Sequence, residues 1–380
     1  MTSWIWSHPD WPHFTWNQEA LSPHLTKARL AQGKLLGITQ SMRKDVADVM
    51  DALILADQAI DTSAIEGEHL NRDSVRSSIA NRLGLDNAGM NGPPDRYVEG
   101  LLDMLLNATQ QHSEALTKER LCSWHAALFP TGYSGIKKIT VASFREPGPM
   151  QIVSGKPGRE VIHYEAPPAE FTHHGMNEFL TWFNGKSETD GLIRAGIAHL
   201  WFELLHPFDD GNGRIGRAII DLALAQDEKL ASRYYSLSSA IMTHRKHYYA
   251  TLGEACRGNL DITAWLVWFL DCFHDAISNA LNTITSITAK SRFWETHAKT
   301  PLTPRQIKCL NTLLDAGKDG FIGGMTTRKY MHLTRTTRTT AYRELSDMVQ
   351  KQCLTPTADK GRSAAYTIDW SFEKHYPEAS

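Results

Sequence analysis

Apolar residues recur at intervals of three and four along most of this chain, the spacing that gives a helix one buried face. The pattern predicts helices at about 18–37, 41–60, 95–109 and 117–128, then at 171–183, 192–205, 214–226 and 262–284. Between 143 and 168 the period changes. Two short alternating runs, 151–153 and 160–163, flank Gly155, Pro157 and Gly158, which reads as a hairpin. The stretch 86–94, rich in Gly, Asn and Pro, is a loop. After Thr300 the pattern resets. A helix opens at Pro301-Leu-Thr-Pro and ends at Gly317, shorter helices fit 327–332 and 336–350, and two extended runs flank a basic turn at 358–363. Three helices followed by a wing is the order of a winged helix-turn-helix domain. The expected fold is mainly α, with an N-terminal helical region at 1–94, a helical core at 95–295 and a C-terminal module at 300–375.

The junction between the helices at 192–205 and 214–226 carries the chemistry. It reads His206-Pro-Phe-Asp-Asp-Gly-Asn-Gly-Arg-Ile-Gly-Arg217. Pro207 disfavours helical geometry at His206, so the first helix stops there. Gly211 and Gly213 let the backbone turn its amides inward as an anion nest, and the next helix adds free N–H groups and a positive dipole end. Arg214 and Arg217, three apart, lie on one side of its first turn, where both can reach one polyphosphate. Asp210 offers the hard oxygen that magnesium prefers. His206 has an ordinary pKa suited to taking a proton near neutrality. A triphosphate over a metal ion accounts for the whole set, whereas a capped helix after a Gly-rich turn leaves most of it unexplained.

Every defined position of this stretch matches the signature His-x-Phe-x-(Asp/Glu)-Gly-Asn-Gly-Arg-x-x-Arg, and the chain resembles the Fic family. That resemblance implies a Fic-type helical bundle and transfer of AMP from ATP, with Mg2+ (or Mn2+), to a Ser, Thr or Tyr hydroxyl of a target protein, itself included. By the resemblance His206 is the base and Phe208 anchors the loop. Asp210 holds the metal, while Gly211, Asn212 and Gly213 cradle the phosphates. Arg214 assists there, and Arg217 grips the γ-phosphate. Thr62-Ser-Ala-Ile-Glu66-Gly67 matches the family's inhibitory motif, in which Glu66 takes the place of the γ-phosphate on Arg217; alone, the pattern also fits an exposed helical glutamate. The hairpin resembles the family's flap, whose residues Gln151, Ile152 and Val153 would pair with a target backbone by strand addition; an ordinary surface hairpin is the alternative. The resemblance also admits removal of AMP and a homodimer.

Composition narrows the setting. At 42% hydrophobic and 22% charged residues, with a formal net charge of −2, the chain reads as an ordinary globular protein without general basic character. Its five cysteines are scattered, without a CxxC pair, which argues against zinc and a disulfide framework. Neither a signal peptide nor a membrane span appears, so a cytoplasmic location is expected. Trp4, Trp6, Trp11, Phe14 and Trp16 crowd the start and read as an aromatic cluster packed on the rest of the protein, with a partner surface as the alternative.

The C-terminal module departs from the average charge. Between 321 and 362 there are eight basic residues against three acidic ones. Arg335, Thr336 and Arg338 crowd the start of the last helix, where contacts to duplex DNA are made in such domains. Contacts to protein are the alternative. Two rival functions stand beside AMP transfer: a Fic enzyme moving another phosphate-linked group, and a DNA-binding regulator whose core senses nucleotide.

Overall fold

Helix caps and apolar stripes set the elements of this computed structural model, which describes residues 4–83, 95–154, 161–318, 320–357 and 364–375. The expected loop at 86–94, the flap turn at 155–158 and the basic wing tip at 358–363 lie outside the described residues. The chain forms two compact units, Met1–Ala280 and Leu281–Ser380.

In the first unit a 3-10 turn at Ile5–Ser7 precedes α1 (Gln18–Gln40), α2 (Lys44–Ile65), α3 (Arg72–Leu83), α4 (Arg96–Gln110) and α5 (Lys118–Leu128). Asn17, Asp95 and Thr117 cap α1, α4 and α5 by accepting from the backbone N–H groups of Ala20, Tyr97 and Arg120. Two antiparallel hairpins follow: β1 (Tyr133–Ser134) with β2 (Lys137–Lys138), then β3 (Gln151–Ser154) with β4 (Val161–Glu165). Next come α6 (Ala169–Asn184), α7 (Gly191–Leu205), α8 (Asn212–Glu228), α9 (Leu237–Thr243), α10 (Arg245–Arg257) and α11 (Thr263–Thr296), the last continuing into the second unit.

The pair α7 and α8 forms the centre, with α2, α4 and α5 also packed against α8. Leu192, Ile193, Ile197, Leu200, Phe202, Leu204 and Leu205 bury α7 on all sides, as expected of a core helix apolar all round. The aromatic start packs where the sequence places it, on the body of this unit. Trp11 and Phe14 meet Trp201 of α7 edge-on at 6.5 and 5.9 Å, and Trp4 meets Tyr164 of β4 at 5.4 Å. Helices α3, α9 and α10, and the β1–β2 hairpin, are additions to the pattern read from sequence.

The second unit contains the end of α11, then α12 (Pro304–Ala316), β5 (Met325–Thr326), α13 (Thr327–Thr334), α14 (Arg338–Gln350), β6 (Leu354–Pro356) and β7 (Ala365–Ile368). Its strands form an antiparallel sheet in the order β5-β7-β6. Phe293 joins Leu310, Leu314, Tyr330, Leu345, Met348 and Ile368 in the core, so the unit starts within α11 and not at residue 300. Helix α11 runs unbroken across that junction, past the predicted end at 284, so the change of unit leaves no break in secondary structure. Among the described residues no helix is long and apolar enough to cross a membrane.

Candidate active site

Helix α7 ends on His206, which takes the left-handed conformation (φ 47°, ψ 59°) and turns the chain into the loop before α8. Arg145, 3% exposed, fixes this turn. Its Nε donates to the His206 carbonyl at 2.9 Å, its guanidinium also reaches the Pro167 carbonyl and the Thr172 hydroxyl, and its own N–H donates to the Pro207 carbonyl at 2.8 Å. The His206 Nδ1 lies 3.3 Å from the Glu203 carbonyl, an acceptor only. Nδ1 must therefore carry the proton, which leaves the Nε2 lone pair free. His206 is half-buried, yet protein surrounds the ring closely enough that loss of hydration pushes its pKa down to about 4, with the positive charge of Arg145 acting in the same direction.

The loop itself is braced from several sides. Phe208 is buried and stacks on His125 with ring centroids 4.3 Å apart. His125 Nδ1 accepts from the Ala142 N–H at 3.3 Å, so Nε2 carries the proton and donates to the Asp210 carbonyl at 3.1 Å. Burial lowers the pKa of His125 to about 4, consistent with this neutral tautomer. Gly211 has φ 81°, and a Cβ there would lie 2.8 Å from the Phe129 ring. The Asn212 side chain bonds both the N–H and the carbonyl of Phe208, at 2.9 and 2.8 Å. Its amide is thus committed to holding the loop, and the unsatisfied N–H groups that begin α8 are what face an anion.

Both arginines of the motif are 1% exposed, and they have different carboxylate partners. Arg217 donates from Nε to the Thr62 hydroxyl and from Nη2 to the Thr62 carbonyl, each at 2.8 Å; Nη2 is also 2.8 Å from Glu66 Oε1. Glu66 closes α2, and Gly67 follows with φ 87°. A Cβ on Gly213 would lie 2.1 Å from Glu66 Oε1, so the absent side chain is what lets this carboxylate approach the start of α8. Arg214 instead bonds Glu68 at 2.8 Å and the Tyr97 hydroxyl at 2.7 Å, with Asp210 at 3.3 Å. The two arginines, whose spacing suggested reach to one polyphosphate, are therefore held by separate carboxylates in this state, Arg217 by Glu66 and Arg214 by Glu68 and Asp210.

Glu203, one turn before His206, is 7% exposed and its Oε1 has no hydrogen-bond partner. Burial and the nearby charge of Glu66 raise its pKa to about 8, against the opposing effect of Arg217. Glu66, Glu203, His206, Asp209, Asp210 and the glycines 211 and 213 line one cavity of about 790 Å³, together with residues of β3, β4 and α10. That volume suits a nucleotide-sized ligand.

Residues 115–224, which include this entire loop, match the profile of the Fic/DOC family. The chain carries a Fic domain. Residues 4–85 match a domain of unknown function, DUF4172. The chain is similar to a probable protein adenylyltransferase of Aquifex aeolicus, 27% identical over 95 residues, covering 25% of this chain and 27% of that protein. It is also similar to the protein adenylyltransferase fic-1 of Caenorhabditis elegans, 33% identical over 93 residues, covering 24% of this chain and 17% of that protein. The matches thus span under a third of either relative's own length. A crystal structure of a Fic family protein from Desulfovibrio desulfuricans shares the fold, with a TM-score of 0.56 at 20% identity over 94% of this chain and 98% of that one.

On the Fic domain, Gln151 and Ile152 stand exposed on β3 at the rim of the cavity. The side chain of Val153 lies outside the described residues. Asp210 suits the protein's share of a magnesium site: its side chain is 41% exposed, lines the cavity and keeps a lone pair on Oδ2 beyond the bonds from Ser134, Gly211 and Arg214. Among the described residues no group of three or more potential ligand side chains converges, so phosphate and water would complete the shell. In the second unit Arg335 is the left-handed cap of α13 and Arg338 begins α14; both are exposed, with Thr336 half-buried between them. Sequence reading passed over Arg145, His125, Glu68, Tyr97 and Glu203, each of which reaches the site from a segment outside the twelve-residue motif or carries no motif of its own.

Proposed function

We propose that this chain is a protein adenylyltransferase held in check by Glu66, transferring AMP from ATP to a Ser, Thr or Tyr hydroxyl of a target protein or of itself. The observation that carries the proposal is the buried Arg217 paired with Glu66 beside Gly213, a short distance along the loop from a histidine whose Nε2 is free. A γ-phosphate offers Arg217 the same kind of oxygen that Glu66 supplies. With Glu66 withdrawn, the phosphates lie on the α8 N-terminus between Gly211 and Gly213. His206 Nε2 then takes the proton of the incoming hydroxyl. The hydroxyl oxygen bonds to the α-phosphorus in line as the bond to the β-phosphate oxygen breaks, and pyrophosphate leaves. Magnesium or manganese bound at Asp210 would supply charge neutralisation on the phosphates. Arg214, Glu68 and Tyr97 brace the loop from behind. The names of the two relatives support AMP as the group transferred. The test incubates the Glu66→Gly protein with labelled ATP, magnesium and cell lysate, and seeks an AMP-sized adduct by mass spectrometry that disappears in Glu66→Gly/His206→Ala. Label transfer that survives loss of His206 rejects the proposal.

We also propose that the second unit is a winged helix that contacts duplex DNA. The exposed Arg335, Arg338 and Arg343 around the start of α14 support this reading, as does the helix, strand, helix, helix, hairpin order. Binding that weakens steeply with salt is the expected result; no binding, or binding insensitive to salt, favours protein contacts.

A further inference from the structure

The flap has two edges, and they are treated differently. On one side, β3 has among the described residues only β4 as a neighbour in the sheet, and its Gln151 and Ile152 are exposed. On the other, β4 is covered by side chains from distant parts of the chain. Trp6 Nε1 donates to the Glu165 carbonyl at 2.8 Å. The pairing register slips at His163, and the Ile162 and His163 carbonyls both face Arg257 Nη2, at 3.4 and 3.0 Å. The Trp4 ring sits 5.6 Å from that guanidinium and meets Tyr164 edge-on. Tyr164 is buried and donates its hydroxyl to the Leu204 carbonyl at 2.5 Å, two residues before His206.

The segment that delivers Trp4 and Trp6 is itself tied down. Thr15 exchanges backbone bonds with Leu260 and Ile262, and Trp11 and Phe14 pack on Trp201 of α7. It therefore runs as a strap from the start of α11, across α7, to the flap. Side-chain donors on edge carbonyls make a strand a poor template for further pairing, which leaves the opposite edge as the place for addition.

We propose that the tryptophan-rich N-terminal segment is a clamp. It closes the β4 edge with Trp6, and with Trp4 stacked on Arg257. It also holds the flap at fixed height over His206, so that an extended target segment can add to β3 alone. Trp6 and Arg257 are positioning residues in this scheme. The use of the clamp rests on the proposed AMP transfer to a protein hydroxyl; its existence does not.

The test measures amide hydrogen exchange of residues 151–154 and 162–166 in the whole chain, comparing wild type with Trp6→Phe, which keeps the ring and loses the donor. Loss of one such bond should speed exchange of these amides roughly two- to tenfold while α7 and α8 stay protected. Arg257→Gln gives a second measurement of the same edge. Unchanged flap exchange in both variants overturns the clamp. In the Glu66→Gly background, Trp6→Phe should lower label transfer to lysate proteins several-fold with ATP affinity unchanged. Faster flap exchange with undiminished transfer overturns the link to target docking. Should Glu66→Gly transfer no AMP at all, the function proposed above fails, and exchange alone still decides whether the clamp exists.

Discussion

Replacing Glu66 by glycine takes the paired carboxylate away from a guanidinium that is 1% exposed, and two opposite effects follow from that one loss. Breaking a fully buried pair costs about 3–5 kcal/mol, because one charge stays behind without a partner. An exposed pair contributes about 0–1 kcal/mol. The Glu66 side chain is 30% exposed and Arg217 keeps two bonds to Thr62, so the pair falls between these limits. A loss of about 1–3 kcal/mol is expected, which lowers the melting temperature by roughly 2–4 °C per kcal/mol in a unit of this size. ATP feels the reverse. On the proposed function its γ-phosphate would no longer have to displace Glu66, and about 1–3 kcal/mol corresponds to roughly 5–150-fold tighter binding.

Calorimetric titration with ATP and magnesium, and thermal melts with and without nucleotide, measure both signs in one preparation. Free Glu66→Gly should melt below wild type and gain more from ATP than wild type does. Glu66→Gln, which keeps an acceptor oxygen but no charge, should fall between. Glu203 adds a further check, since the raised pKa of this neighbour depends partly on the charge of Glu66. Once Glu66 is gone, Glu203 ionises more readily and offsets part of the lost pairing. Glu66→Gly with Glu203→Gln should then be less stable than the two single changes predict. If Glu66→Gly binds ATP no better than wild type, the reasoning that Glu66 occupies the phosphate place on Arg217 fails.

The helices of the centre were legible because their signals are local. The run 192–205 is apolar on every side, Pro207 stops it, and the glycines of the motif announce a turn and a new start. The contact between Glu66 and Arg217 was legible only through the family pattern, since 151 positions separate the two and nothing in either segment points to the other. Arg145 shows what local reading misses. Phe144-Arg145-Glu146 looks like an irregular surface stretch, yet its arginine is buried on the carbonyls of His206 and Pro167. Glu68 directly follows the Thr62–Gly67 stretch and bonds Arg214. No periodicity reveals such a partner. The helix at 262–284 extends instead to Thr296, because a sequence good for helix on both sides of a unit boundary gives no sign of that boundary. The short α9 and the polar face of α10 likewise lack the sustained stripe that identifies a helix from its sequence.

On the proposed role of His206 as the base, His206→Ala should lower AMP transfer by about 10²–10⁴-fold while ATP binding, read by titration, stays near the parent value. Because the ring is neutral down to about 4 and not merely to 6.5, transfer rates should stay level as pH falls through the ordinary histidine range and drop only toward the lower value. A midpoint near 6.5 in a single-turnover pH profile contradicts the burial argument. Arg145→Met strands carbonyls of the turn and should cost about 3 kcal/mol in urea unfolding; Arg145→Lys should recover little, since one ammonium cannot reach the same set of acceptors. Glu203 gives a pH signature of opposite sign to that of a paired carboxylate. Its folded pKa is raised from 4.5 to about 8, so the fold favours the protonated form. Its contribution is complete below 4.5 and is lost as pH rises through about 8, where the unfolded chain is already ionised and the folded one must ionise in a buried place. Glu203→Gln cannot ionise. Its stability relative to wild type should therefore grow steadily across that window in paired urea melts, whatever other groups titrate in both proteins. A difference that does not change with pH means that Glu203 is already ionised and stabilised by Arg217, which would make it a second counter-ion waiting beneath Glu66.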